Sequence, residues 1–149
     1  MFAASVTSAI LVGLTLLIHY DVLRKASQVL PHLPLPVRFR VAVVVFAAFL
    51  AHTLEVCLYA LTYYLFDDVF DFGSLAGETN ADWRDYIYFS MGTYTTLGLG
   101  DIYPVGATRL VAGIEALNGL VLIGWSASFT YLAMEKFWPL HAASRKSLT

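Results

Sequence analysis

Two glycines alternate with leucines in the segment 96–101, which reads TLGLGD. Glycine tolerates positive φ angles, so Gly98 and Gly100 allow successive backbone carbonyls to point toward one axis. A dehydrated cation requires a stack of oxygen ligands in place of its water shell, and such carbonyls can supply them. The Thr96 hydroxyl can add an oxygen at the inner end of this stack. Gly-x-Gly alone more often marks a tight turn, so the flanking segments decide between the two interpretations.

A short helix is predicted directly before this motif, over residues 83–95. The stretch is aromatic and amphipathic, and it falls short of the roughly 20 helical residues that cross a bilayer. Asp82, followed three residues later by Asp85, is predicted to cap the first turn, because carboxylates satisfy free backbone amides and complement the positive end of the helix dipole. After the motif, Pro104 opens a long apolar stretch. This order of elements predicts a re-entrant hairpin.

The composition indicates a membrane protein, because 58% of the 149 residues are hydrophobic and only 13% are charged. Three long apolar segments, at about residues 3–20, 39–66 and 105–134, approach the length that a helix needs to cross a bilayer. We therefore expect an all-α membrane protein with three transmembrane helices, the re-entrant helix and an extended filter segment.

The same composition argues against several other functional classes. A formal net charge of -2, with basic residues in small clusters, argues against a nucleic-acid partner. The single cysteine, Cys57, can form neither an intrachain disulfide nor a cysteine metal cage. Since no nucleophile–base pair lies at a recognisable spacing, we expect no enzymatic activity, no organic cofactor and no soluble substrate.

Basic residues predict the orientation of the chain in a cell membrane. None precedes the first apolar segment, so we expect a retained helix there and not a cleaved signal peptide. By the positive-inside rule, the connection after this helix and the carboxyl-terminal tail are cytoplasmic, which leaves the amino terminus outside. The residues that carry this prediction are Arg24, Lys25, Arg38, Arg40, Lys136, Arg145 and Lys146.

The ten residues from Thr95 to Pro104, TTLGLGDIYP, resemble the signature of the potassium-channel pore family, usually read TTVGYGDLYP. The resemblance extends over residues 83–137, and more loosely over 39–66, so the chain is similar to a two-helix pore domain with one additional amino-terminal transmembrane helix. Leu97 stands at the valine place. Leu99 stands at the tyrosine place and lacks the hydroxyl that holds the filter width. Both leucine side chains are predicted to point away from the pore and to contribute packing.

This resemblance implies a homotetramer, in contact with membrane lipid, that conducts K⁺ passively along a fourfold axis. It also implies a hydrogen bond between Tyr88 and Asp101 that supports the filter from behind. Gly119 matches the family's hinge glycine, and the alternative is that a small residue permits close helix packing there. The implied ion-binding residues are Thr96, Leu97, Gly98, Leu99 and Gly100, with K⁺ held at the first four.

The segment boundaries follow from these patterns. Prolines cannot continue a helix, so we expect a transmembrane helix over 1–24, a proline-containing cytoplasmic linker over 25–38, a pore domain over 39–137 and a short cytoplasmic tail over 138–149. The predicted parts of the pore domain are an outer helix (39–66), an acidic outer loop (67–82), a pore helix (83–95), a filter (96–101) and an inner helix (105–137). The acidic side chains either concentrate cations at the outer mouth or only solvate the loop.

Two glutamates, Glu55 and Glu115, fall within the predicted outer and inner helices, where an ionisable group costs on the order of 3 kcal/mol or more. Counting about 1.5 Å of rise per residue from the outer helix ends puts both at a similar middle depth. We expect them to meet, with His52 joining the cluster and at least one carboxyl protonated. The cluster is either a proton- or metal-sensitive gate behind the filter or a structural hydrogen bond between helices.

Three functional hypotheses follow, and a K⁺-selective channel is the leading one. Leucine at positions 97 and 99 leaves a weakly selective cation channel as an alternative. A non-conducting membrane interaction subunit that retains a pore-like hairpin is the third. No helix carries an arginine ladder, so we expect no voltage sensor.

Overall fold

The computed structural model describes residues 1–80 and 82–137, so the predicted tail at 138–149 lies outside the described residues. Four helices make up most of this part of the chain: α1 (Phe2–Val29), α2 (Val37–Tyr64), α3 (Trp83–Tyr94) and α4 (Thr108–Phe137). Two short turns extend them, a 3-10 turn after α1 (Leu30–His32) and a π-helical turn after α2 (Leu65–Val69).

Three of the helices are long and apolar enough to cross a membrane, as the sequence predicts. These candidate spans are Phe2–His32, Arg38–Val69 and Thr108–Lys136. α3 has 12 residues, which is too few to cross a bilayer. The chain is therefore a multi-pass membrane protein with a short helix between its second and third spans.

The predicted end of the first helix, at residue 24, is wrong, since α1 continues to Val29. Pro31 is the first proline of the linker, and it lies two residues beyond the end of α1. The linker is correspondingly shorter than predicted. Pro36 ends it with extended backbone and occupies the N-cap position of α2.

The described residues are mostly helical, as predicted, but they also contain a two-stranded antiparallel sheet that an all-α chain would lack. β1 (Gly73–Gly77) pairs with β2 (Ile102–Gly106), and Gly73 lies opposite Gly106. The strand β1 belongs to the predicted acidic loop, and β2 takes the place predicted for the start of the inner helix at 105. α4 consequently begins at Thr108.

Glycine makes this sheet sterically feasible. A Cβ on Gly73 would lie 2.5 Å from the Val105 carbonyl oxygen, and one on Gly77 would lie 2.0 Å from the Asp101 carbonyl oxygen. Glycine and proline are depleted in ordinary strands, so the sequence gives a weak strand signal here. The sheet joins the outer loop to the carboxyl end of the filter segment.

α1 packs against both α2 and α4. Its buried residues recur every three or four positions, as expected for one face of a helix; they are Ala4, Ser8, Leu11, Thr15, His19 and Leu23. Half of this face is polar. Asn118 Nδ2 of α4 donates to Thr15 Oγ1 at 2.8 Å and to Tyr59 Oη of α2 at 3.1 Å, which joins the three long helices.

α3 lies between α2 and α4, surrounded by large aromatic side chains. The rings of Tyr63 and Phe89 pack edge to face, with centroids 5.0 Å apart. Tyr86 and Tyr94, from the two ends of α3, are also buried in this cluster. The short helix is thus held on the two helices that flank it.

Gly119 of α4 lies against the carboxyl end of α3. A Cβ at this position would lie 2.1 Å from the Tyr94 carbonyl oxygen and 3.1 Å from the first carbon of its ring. Of the two interpretations of Gly119, this contact supports close packing. The hinge function stays a prediction.

We expect Gly119→Ala to lower the melting temperature of the purified protein by several degrees, because an added methyl group with no space costs about 1–3 kcal/mol. Thermal unfolding followed by tryptophan fluorescence measures this. Gly113→Ala is the matched control in the same helix, since its added Cβ meets no atom of the described residues within 4 Å. Alanine gains about 1 kcal/mol over glycine in helix propensity, so this control should melt at the same or a higher temperature. Equal melting temperatures for the two variants would contradict the packing role.

Candidate functional site

Positive φ recurs at every second residue of the filter segment. The φ angles are +59° at Thr96, +57° at Gly98 and +86° at Gly100. The prediction that both glycines adopt this conformation is confirmed. Thr96 was not predicted to do so, because a β-branched residue in the left-handed region is an outlier.

The left-handed Thr96 is explained by the way α3 ends. The Leu97 amide donates to the Gly92 carbonyl at 2.8 Å, and the Thr96 amide donates to the Thr93 carbonyl at 2.9 Å. These two bonds form a Schellman motif, in which the residue after the C-cap is left-handed and is usually glycine. Threonine occupies that place here. The filter therefore starts as the terminating turn of α3, and its first residues satisfy the free carbonyls of the helix.

The outer end of the filter is held at Asp101, where the predicted hydrogen bond is present. Tyr88 Oη donates to Asp101 Oδ2 at 2.8 Å. This bond lowers the pKa of the Asp101 carboxyl and raises the pKa of the Tyr88 phenol, because it favours the ionised acid and the protonated phenol. The Asp101 carbonyl also accepts the Glu78 amide at 2.9 Å, which ties the outer loop to this end.

The leucines of the filter do not pack within one chain. Leu97 is 64% exposed and Leu99 is 60% exposed. A cavity of about 250 Å³ lies between the filter and α3, and Leu99, Tyr88 and Gly92 contribute to its lining. The predicted packing role of the leucines therefore stays a prediction that depends on neighbours outside the chain.

The predicted cap of α3 is wrong in its detail. Asp82 is the N-cap residue, as expected, but its side chain makes no capping hydrogen bond. Asp85 bonds backward instead, with Oδ2 accepting the Asn80 amide at 2.7 Å and the Thr79 hydroxyl at 3.0 Å. These bonds lower the pKa of Asp85. The helix start is thus fixed by a first-turn carboxylate that holds the preceding loop.

Asp67 also has a structural role in the acidic loop. Its Oδ2 accepts the Tyr86 hydroxyl at 3.0 Å and the Leu75 amide at 3.2 Å. One carboxylate therefore joins the end of the second span to α3 and to β1. The sequence left two roles open for the acidic side chains of this loop, which were to concentrate cations or to solvate the loop. The hydrogen bonds of Asp67 support neither role for this residue.

A buried polar cluster lies beside the carboxyl end of α3. Glu55 of α2 bonds to His19 Nδ1 at 2.9 Å and to His52 Nδ1 at 3.2 Å, and it accepts the Tyr94 hydroxyl. Ser126 Oγ of α4 closes the cluster by contacting Nε2 of both imidazoles, at 3.2 Å for His19 and 3.0 Å for His52. We call these five residues the histidine cluster. It joins all four helices at one point.

Hydrogen-bond counting restricts where the protons of this cluster lie. Ser126 has one hydroxyl proton, so at least one imidazole must donate its Nε2 proton to Ser126 Oγ. His52 can be that donor, because its Nδ1 lies 2.8 Å from Tyr94 Oη and can accept the phenol proton. His19 Nδ1 can then donate to the Glu55 carboxylate. These hydrogen bonds stabilise a polar group in a buried site.

Glu115 belongs to a separate contact, so the prediction that the two glutamates meet is wrong. Its carboxyl accepts the Ser90 hydroxyl at 2.6 Å and the Tyr63 hydroxyl. It shares no hydrogen bond with Glu55 or His52. Ser90 also contacts the Val56 carbonyl at 3.0 Å, so this second contact links α2, α3 and α4. Both glutamates therefore make structural hydrogen bonds to the short helix, and proton or metal sensing stays a hypothesis.

Sequence reasoning missed His19, Tyr94 and Ser126. A histidine inside an apolar span is itself a signal, because an intramembrane ionisable residue is costly and needs a partner. His19 lies in the first apolar segment and is fully buried. Tyr94 and Ser126 carried no comparable signal, since hydroxyl groups are common in membrane helices.

Comparison with protein families found a match over much of the chain. The model of a family described as "Ion channel" matches residues 41–136, which is more than half of the chain. Neither the search of curated proteins nor the search of solved structures found a match. The matched region begins in α2 and ends in α4, so it includes the filter segment and leaves out α1.

We expect Tyr88→Phe to raise the pKa of Asp101 toward its ordinary value, because the phenol no longer stabilises the ionised carboxyl. In the native protein this hydrogen bond to the carboxylate is present at neutral pH and is lost as pH falls through the lowered pKa. Titration of ¹³C-labelled aspartate carboxyls by NMR measures the shift. Tyr131→Phe is the matched control, since Tyr131 is exposed and its hydroxyl has no partner among the described residues. An unchanged Asp101 titration in Tyr88→Phe would contradict the contact.

Proposed function

Because the chain belongs to the ion channel family, whose members are channels and not enzymes, we propose that it is a subunit of a homotetrameric channel that conducts K⁺ passively across the cell membrane. The observation that carries the proposal is the alternation of positive φ at Thr96, Gly98 and Gly100. In ordinary extended backbone, successive carbonyls point to opposite sides. When every second residue is left-handed, successive carbonyls turn toward the same side, and this supports a line of oxygen ligands for K⁺.

The proposed ligands are backbone carbonyls from Thr96 to Gly100, with the Thr96 hydroxyl at the inner end. One chain contributes one strand of oxygens, and a ring of four strands replaces the hydration shell of the ion. The carboxyl end of α3 lies next to the first ligand, and its negative dipole end favours a cation below the filter. These residues lie outside the packed interior of the chain, as a pore surface requires.

Exposed apolar side chains support assembly with further copies. Leu97 and Leu99 in the filter and Leu117, Leu120 and Val121 in α4 are exposed in the single chain. Closed fourfold symmetry would bring filter next to filter and inner helix next to inner helix. The remaining apolar faces would contact lipid, with the amino terminus outside and the carboxyl end of α4 on the cytoplasmic side.

A weakly selective cation channel is the second candidate, and Leu99 is the observation that favours it. Its side chain has no hydroxyl, is largely exposed and borders the 250 Å³ cavity behind the filter. Rigidity would then depend on the Schellman turn at Thr96 and on the bond between Tyr88 and Asp101. Reversal potentials in mixed K⁺ and Na⁺ solutions distinguish the two candidates.

The purified protein in liposomes is expected to take up Rb⁺, and barium is expected to block this uptake. We expect Gly98→Ala to reduce the uptake at least tenfold, because a left-handed alanine costs about 1–2 kcal/mol in each of four subunits. No atom of the described residues lies within 4 Å of a Cβ on Gly98, so the effect is one of backbone conformation within the chain.

Gly113→Ala is the control, since it changes a helical glycine outside the filter. It should retain barium-blockable uptake. If the native protein takes up no Rb⁺ in all of the tested lipids, this result would favour the non-conducting interaction subunit. Equal uptake by the native protein and Gly98→Ala would exclude the filter from the conduction path.

A further inference from the structure

Three residues of the histidine cluster have the chemistry of metal ligands. His19 of α1 and His52 and Glu55 of α2 each offer one ligand atom, and these atoms lie within 4.8 Å of one another. His19 and Glu55 are fully buried, and the His52 side chain is 20% exposed. The family match does not cover His19, because it begins at residue 41.

The geometry is close to that of a four-coordinate Zn²⁺ site. Ligands about 2.0–2.1 Å from Zn²⁺ in a tetrahedron lie about 3.3 Å from one another. Glu55 Oε1 lies 2.9 Å from His19 Nδ1, and the other oxygen, Oε2, lies 3.2 Å from His52 Nδ1. One ligand atom from each residue gives a set within 4.8 Å, which is wider than this spacing. Small side-chain rotations would bring the three atoms around one ion. Two imidazoles, one carboxylate and an open fourth position are a common ligand set for this ion.

Surrounding groups hold these ligands in orientation. Metal-binding imidazoles normally donate their second ring proton to an oxygen. Ser126 Oγ lies at 3.2 Å and 3.0 Å from the two Nε2 atoms, and its two lone pairs can accept both protons. Tyr94 donates to the same carboxylate. His52 Nδ1 also lies 2.8 Å from Tyr94 Oη. Both Nδ1 atoms can therefore bind an ion when the ring protons lie on Nε2 and Tyr94 donates to Glu55 alone.

An ion could reach this site from a cavity of about 490 Å³ between α2, α3 and α4. His52, Tyr94 and Ser126 line this cavity together with apolar residues such as Phe49 and Ile123. The open coordination position would face this cavity through His52. A water molecule there would complete four coordination.

We propose that His19, His52 and Glu55 bind one divalent transition-metal ion of the Zn²⁺ class. The metal forms bonds to His19 Nδ1, His52 Nδ1 and the Glu55 carboxylate, and any proton on these ligand atoms moves to Nε2 of the same ring or leaves to solvent. The bound ion fastens α1 to α2. It also fixes the hydrogen-bond partner of Tyr94, the last residue of α3, next to the start of the filter. Metal binding does not depend on the proposed conduction, so the two can fail separately.

Co²⁺ is the probe, because four-coordinate Co²⁺ absorbs visible light far more intensely than hydrated Co²⁺. The full-length native protein in detergent, titrated with Co²⁺, is expected to develop this absorption up to one ion per chain and to lose it when Zn²⁺ is added. If saturating Co²⁺ gives nothing but the weak spectrum of the hydrated ion, the proposal is overturned. This test uses the native protein and needs no variant.

Variants locate the site. His19→Gln and Glu55→Gln are each expected to weaken Co²⁺ binding at least tenfold and to reduce the intense absorption. His32→Gln is the matched control, because His32 is exposed and bonds only to the Gln28 carbonyl among the described residues; its spectrum should match that of the native protein. Circular dichroism identifies a variant that has lost its fold. The Co²⁺ binding of the other variant then tests whether the ion lies at this site. Intense absorption retained in a folded His19→Gln or Glu55→Gln would overturn the assignment.

Discussion

The structure depends on one constraint, which is that α3 ends between two membrane-spanning helices. A helix leaves its last four carbonyls without intrahelical partners, so they need other donors. The chain satisfies three of these carbonyls, those of Met91, Gly92 and Thr93, with the amides of residues 95–98. The turn that completes the helix is therefore also the first part of the filter. Gly119 makes the arrangement compact, since α4 can approach the Tyr94 carbonyl directly.

Two buried glutamates hold this short helix from its neighbours. Glu55 contacts Tyr94 at the carboxyl end, and Glu115 contacts Ser90 one turn earlier. Breaking a buried hydrogen-bonded group leaves its partner unsatisfied, which costs more than the bond itself contributes. The polar contacts thus specify one position of α3 along the membrane normal, which apolar packing alone would leave less defined.

Much of this arrangement could be predicted from local signals. The start of α3 at Trp83 and the glycine conformations follow from residue types, and the bond between Tyr88 and Asp101 follows from the family resemblance. The sheet was missed because glycines and Pro104 carry little strand signal.

The expected meeting of Glu55 and Glu115 failed for a geometric reason. Counting helical rise gives the depth of a residue but not the direction in which its side chain points around the helix axis. The two carboxyls bond to successive turns of α3, Glu55 at Tyr94 and Glu115 at Ser90. Depth predicts which residues need partners, and only the packed structure reveals which partners they find.

α1 is bound to the rest of the chain more firmly than its position outside the matched family region suggests. In lipid, apolar side chains gain nothing by leaving the bilayer for a helix contact, so small and polar residues carry helix association. The buried face of α1 follows this rule, since Thr15 bonds to Asn118 and His19 bonds to both Glu55 and Ser126. Removing α1 would take one hydrogen-bond partner from each of Asn118, Glu55 and Ser126, in a medium that supplies no replacement. A change in the packing of α1 would therefore act on Glu55, and through Tyr94 on the turn that begins the filter.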